Sequence, residues 1–114
     1  MMSKKKQRKS GFKLSQQEFM ISASLVDTPK HGYAIAKRIS DNTEGQVKFS
    51  PGTLYGNINT MLDAGLIKLD SKQEKSGRMR KLYGLTQTGR ANYFGQAKIF
   101  KSFIKEEKEE NKDG

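Results

Sequence analysis

The sequence predicts a mainly helical α+β domain: three short helices, a two-stranded hairpin and one long C-terminal helix. Three observations carry this. Stretches beginning at Leu14, His31 and Ser50 repeat apolar residues at helical spacing, and two of them open on a capping serine. LIKLD (66–70) and KLYGL (81–85) alternate with period two. From residue 87 to 108 a helical pattern runs on without a proline.

The first helix opens at LSQQEF. Ser15 and Glu18 have the spacing of a capping box, and Leu14 and Phe19 that of a hydrophobic staple. Phe19, Ala23 and Val26 give it one inward face, and TPK (28–30) ends it. The second helix runs from about His31 to Asp41, with Ile35, Ala36 and Ile39 inward. A polar connection over 42–49 closes on VKF, read as a short strand. In the third helix Ser50 is the N-cap, Pro51 takes the first helical position, and Gly65 stands where a left-handed residue ends a helix. Leu54, Ile58, Met61 and Leu62 form its buried stripe. Its other side offers Gly56, Asn59, Thr60 and Asp63, flanked by Thr53 and Asn57: small amides and hydroxyls instead of charges. Between the two alternating strands lie residues 71–80, read as a loop with Gly77 near its tip. Over 72–81 it carries Lys72, Lys75, Arg78, Arg80 and Lys81 against Glu74 alone. Thr86 caps the last helix, which at ~1.5 Å per residue spans roughly 33 Å.

Composition narrows the function. The net charge of +10 favours a polyanion, either nucleic acid or an anionic surface. The chain has no Cys and one His, so it offers no disulfide, no thiolate metal site and no Cys–His pair. No phosphate loop or dinucleotide fingerprint occurs, and dense carboxylates appear only in 106–110. An enzyme is therefore not expected, nor a metal or cofactor. No apolar run is long enough to span a membrane, and the basic N-terminus lacks the apolar stretch of a signal peptide, which fits a cytoplasmic protein. The apolar share of 33%, against about 45–50% in most domains, makes for a thin core and favours burial against a second copy.

In this order the elements read as a winged helix-turn-helix. Residues 1–13 are a basic flexible arm, 14–86 the DNA-binding domain, 87–108 a dimerisation helix and 109–114 an acidic tail. The third helix would enter the major groove, about 12 Å wide, where Asn can bond adenine twice and Thr can meet a thymine methyl or a phosphate. The basic loop would be the wing and meet phosphate, which positions while bases specify. The candidates for DNA contact are His31, Tyr33, Ser50, Thr53, Tyr55, Asn57, Asn59, Arg78, Arg80 and Lys81. Bland readings stand beside these. Tyr55 and Tyr33 could simply pack, Lys37 and Arg38 are ordinary surface, and the arm either grips DNA or aids solubility. Tyr93, Ala97, Phe100 and Ile104 have the a/d spacing of a helix pair. They either pack within one chain or form the dimer interface, and a helix this long overhangs so small a body.

Four motifs, HGYAIAKRI (31–39), SPGTLY (50–55), AGLI (64–67) and KLYGLTQTG (81–89), occur in the order and spacing of the PadR family of bacterial transcriptional regulators. The resemblance covers roughly residues 19–90. It implies a homodimeric winged-helix repressor that binds double-stranded DNA at an inverted repeat. The single C-terminal helix resembles the smaller PadR subfamily, which dimerises through that helix. Some members bind flat hydrophobic compounds at the dimer centre, often stacked on Trp. This chain has no Trp, which weighs against such an inducer. It also has Gly56 where the family commonly has Pro. A second reading, a DNA-organising or plasmid-partition adaptor that coats DNA, shares the basic charge. A third, a membrane-surface or partner-binding module, would rest on the arm alone.

Overall fold

A computed structural model describes the backbone of residues 14–75 and 77–113, and the side chains of 14–72, 77 and 79–104. The arm (1–13) and the Arg78 side chain lie outside the described residues, as do the side chains of the acidic tail. The elements are α1 (Gln16–Ser24), α2 (Gly32–Asn42), α3 (Pro51–Asp63), β1 (Ile67–Lys75), β2 (Arg78–Leu85) and α4 (Gln87–Asp113).

Capping sets the starts of all three short helices. The Ser15 hydroxyl accepts from the Glu18 N–H at 3.1 Å while the Glu18 carboxylate accepts from the Ser15 N–H at 3.0 Å, closing both halves of the capping box. His31 Nδ1 accepts from the Ala34 N–H and Ser50 Oγ from the Thr53 N–H. α3 ends as expected, with Gly65 at φ 76°, a left-handed backbone that costs glycine nothing.

Burial corrects the face assigned to α1. Ile21 and Leu25 are its fully buried apolar residues, with Glu18, Ser22 and Ser24, whereas Phe19, Ala23 and Val26 are only half-buried. The helix is short and stops at Ser24, so Leu25 is its C-cap and Val26 lies beyond it. In α2 and α3 the assigned faces hold: Ile35, Ile39, Leu54, Ile58 and Met61 meet Leu66 and Ile67 in one core. VKF is not a strand. Val47 instead donates its N–H to Thr43 Oγ1 at 3.1 Å, and Phe49 packs on the core ahead of α3.

The hairpin is the larger correction. Residues 71–80 are not a ten-residue loop; both strands continue through them, with Lys75 opposite Arg78 at the tip. A shift of register between Leu69 and Ser71 leaves Asp70 as a bulge and re-aims the outer half of the ribbon. At its base Tyr83 exchanges both backbone hydrogen bonds with Lys30, at 3.0 and 2.9 Å. The segment just before α2 is thereby stitched to β2. Lys30 also pairs with Asp27 at 2.7 Å. Its hydrogen bond, reinforced by Arg38, holds the exposed Asp27 carboxyl down at about 2. This contact is therefore intact above the ordinary carboxylate range and is lost as pH falls towards that value.

α4 leaves the body from this junction and continues to Asp113, past the boundary expected at 108. Its buried face includes two amides. Gln96 accepts from the Leu14 N–H at 3.0 Å and donates to the Leu14 carbonyl at 3.1 Å, taking the place of a neighbouring strand. Gln96→Ala should leave both backbone groups buried and unpaired, at about 1–3 kcal/mol each. Urea unfolding would show it as a lower midpoint at unchanged slope.

Candidate nucleic-acid interface

Six of the ten residues marked out as DNA contacts line one cleft of about 590 Å³ between the start of α2, one edge of α3 and β2: His31, Tyr33, Tyr55, Asn59, Arg80 and Lys81. The Lys30–Tyr83 stitch brings them together, because it lays His31 beside β2. Tyr55 lies across Gly32, where a Cβ would come 2.7 Å from its Cζ, so any larger residue would displace the ring. Tyr33 is 69% exposed and stacks on His31 with ring centroids 6.4 Å apart. Burial pushes the Tyr83 phenol up, so it stays neutral at the floor of the cleft.

His31 and Arg80 meet at 3.1 Å, Nε2 to a guanidinium nitrogen. A neutral imidazole has one N–H. If Nδ1 accepts from Ala34, the proton sits on Nε2 and faces another donor. If Nε2 accepts from Arg80, the α2 cap is lost. The pair stands at the N-terminal end of an 11-residue helix, where the backbone N–H groups and the helix dipole favour an anion.

The remaining candidates lie elsewhere on α3 or outside view. Ser50 is engaged with Thr53 twice: its hydroxyl donates to Thr53 Oγ1 at 3.1 Å and accepts from the Thr53 N–H at 3.2 Å. Among the described residues the Thr53 hydroxyl accepts from Ser50 and donates to none. Between them and Asn59 runs a bare strip. Gly52 and Gly56 are exposed, and a Cβ built on either meets nothing within 4 Å. Asn57 sits on the opposite edge from Asn59. Its amide nitrogen donates to the Thr53 carbonyl at 2.9 Å and to Gln17 Oε1 at 2.9 Å. Both amide hydrogens are spent, so the twofold bond to adenine read from the sequence is not open to Asn57 in this arrangement. Gln17 had no signal in the sequence: it stands 40 residues away in an unremarked polar turn.

On α4, Tyr93 and Ala97 are half-buried, and the Tyr93 ring lies 4.8 Å from that of Phe19 in the same chain. Phe100 and Ile104, with Phe94 and Phe103, are exposed. Among the described residues no group of three His, Cys, Asp or Glu gathers to hold a metal, and no helix is long and apolar enough to cross a membrane.

Comparison with known proteins agrees with the fold. A transcriptional regulator from Clostridium thermocellum superposes with a TM-score of 0.66 at 23% identity, over 81% of this chain and 89% of that one. A PadR family transcription regulator from Clostridium difficile gives 0.62 at 24%, over 88% and 100%. Bacillus subtilis PadR in complex with operator DNA gives 0.63 at 17%. The match covers 70% of this chain but 45% of that protein, so the likeness is one of fold. No curated protein matches the chain. The sequence model of the transcriptional regulator PadR-like family matches residues 22–94, well over half the chain. These are the residues that build the cleft, α3 and the hairpin, and the chain belongs to the PadR-like family of transcriptional regulators.

Proposed function

We propose that the chain is a homodimeric repressor that acts in the cytoplasm on an inverted repeat in double-stranded DNA. Residues 14–86 bind DNA and the helix from 87 onward pairs two copies. α3 lies in the major groove, the hairpin is the wing, and the cleft of His31, Tyr33, Tyr55, Arg80 and Lys81 takes a backbone phosphate. Thr53 and Asn59 face base edges, and Arg78 joins the phosphate contacts from the wing tip. Bacillus subtilis PadR, which shares the fold, is seen on operator DNA.

Gly56 is the observation that carries this reading. Glycine inside a helix costs about 0.5–1 kcal/mol relative to alanine. Nothing among the described residues demands it, since a Cβ there meets nothing within 4 Å. A partner that approaches the α3 backbone closely supplies the reason, and a helix seated in the major groove is so approached. Gly56→Ala should therefore move two measurements in opposite directions. The thermal midpoint should rise by a few degrees, while affinity for a site selected from a random duplex library should fall. Equal affinity in the two proteins would put α3 away from the DNA.

A further inference from the structure

On this reading of α3, we propose that Gln17, at the start of α1, determines base specificity by fixing which end of the Asn57 amide faces the DNA. Gln17 is a positioning residue here, and the group that touches the base is the Asn57 carbonyl oxygen. The ligand feature it selects is an exocyclic amine in the major groove, adenine N6 or cytosine N4.

An amide's two ends look alike in shape but not in chemistry, and its neighbours fix its orientation. The neighbours of Asn57 are decisive. The Thr53 backbone carbonyl, 2.9 Å from Nδ2, can only accept, so the NH2 end must face it. The second hydrogen of that NH2 goes to Gln17 at 2.9 Å, which turns the Gln17 oxygen inward. Two consequences follow by elimination. Asn57 Oδ1 forms no other hydrogen bond among the described residues and is the end left for a ligand. Gln17 Nε2 is likewise left with both hydrogens to donate. The edge of α3 nearest α1 thus presents an acceptor backed by a donor, where a lone asparagine could rotate to present either.

Base chemistry sorts on this. In the major groove adenine and cytosine carry amines that donate, whereas guanine and thymine carry only acceptors at the equivalent positions. An asparagine locked oxygen-outward therefore accepts from adenine or cytosine and meets guanine O6 or thymine O4 with like against like. Without Gln17 one amide hydrogen is released, the side chain can turn, and that discrimination weakens.

The test is site selection from a random duplex library with the full chain, for wild type, Gln17→Met and Asn57→Asp. Methionine keeps the length of Gln17 and cannot accept the bond; aspartate offers only acceptors. Wild type is expected to show one position in each half-site confined to adenine or cytosine, and which of the two dominates identifies the amine. Gln17→Met should relax that position about fivefold or more, the worth of one hydrogen bond, and leave the other positions unchanged. Asn57→Asp should keep the preference despite a lower overall affinity. A wild-type motif retained in Gln17→Met, or one weakened evenly at every position, overturns the role of Gln17 and leaves the reading of α3 standing. An absence of any motif in wild type overturns both. Gln17 is exposed, so circular dichroism of the methionine variant should match wild type.

Discussion

Gly89→Ala is expected to lower the melting temperature by roughly 4–16 °C, the reverse of what the same change does in most helices. Gly89 sits in the first turn of α4, pressed onto the junction between α3 and β1. A Cβ there would overlap the Leu66 carbonyl oxygen, and would lie 2.8 Å from the Leu66 carbonyl carbon and 3.1 Å from Leu85 Cδ2. The obstacle is backbone, which cannot step aside as a side chain can. Leu66 is fully buried and its carbonyl accepts from the Thr86 N–H at 3.1 Å. Moving α4 outward would also break the bond from Thr86 Oγ1 to the Gly65 carbonyl at 2.6 Å, and that from the Gly89 N–H to the same hydroxyl at 2.9 Å. Overpacking of this kind costs about 2–3 kcal/mol, and one kcal/mol shifts the midpoint by roughly 4–8 °C in a domain of this size. Helix propensity returns about 1 kcal/mol at most, so the clash wins. Thermal melting followed at 222 nm decides it, and an unchanged midpoint would mean that α4 is not seated on Leu66.

Phe103→Glu is expected to produce monomers. The outer part of α4 shows Phe94, Phe100, Phe103 and Ile104 to solvent, with Phe103 62% exposed and Ile104 55%. Such a run of large apolar residues on one helix is costly to leave in water. Phe103 has no aromatic neighbour within its own chain among the described residues, whereas Phe100 meets the Phe19 ring edge-on at 5.5 Å. A charge at 103 therefore attacks pairing of two copies with least harm to the fold. Sedimentation should give a single-chain mass. Affinity for an inverted repeat should fall by about 10²–10⁴, the advantage lost when two linked modules become separate, while binding to an isolated half-site should change little. A dimer that survives would place the interface elsewhere.

The parts of the fold that were legible in the sequence are those where one residue type settles local backbone geometry. Ser50 followed by Pro51 can begin a helix and do little else, and Gly65 ends it with a positive φ. The faces of α2 and α3 were legible because Ile35, Ile39, Leu54 and Ile58 recur without rivals. α1 was not, since Phe19, Ile21, Leu25 and Val26 offer more than one helical phase, and packing on other elements decides between them. The wing was misread for a different reason. A ribbon standing in solvent has no core face, so Ser71 to Arg80 show no apolar alternation although they pair along their length. Within the candidate site, the sequence pointed to His31, Tyr55, Asn59 and Arg80 one by one. That they converge depends on the Lys30–Tyr83 stitch, a contact between residues 53 apart with no mark on either. Gln17 was invisible because its chemistry lies wholly in the residue it touches.

The rooting of α4 has a consequence for operator architecture. Thr86 and Gly89 bind its first turn to the last residues after α3, so in the proposed dimer no hinge would separate α4 from α3. Two copies joined through α4, as proposed, would behave as a caliper of fixed opening. Adding one base pair between half-sites turns the far half-site by about 34–36°, since a turn takes 10–10.5 base pairs. A jointed protein would absorb that rotation, but the proposed dimer would have to bend DNA or give up a half-site. Tolerance of spacer length, and with it the number of chance sites in a genome, would then be set at the foot of a helix far from any base.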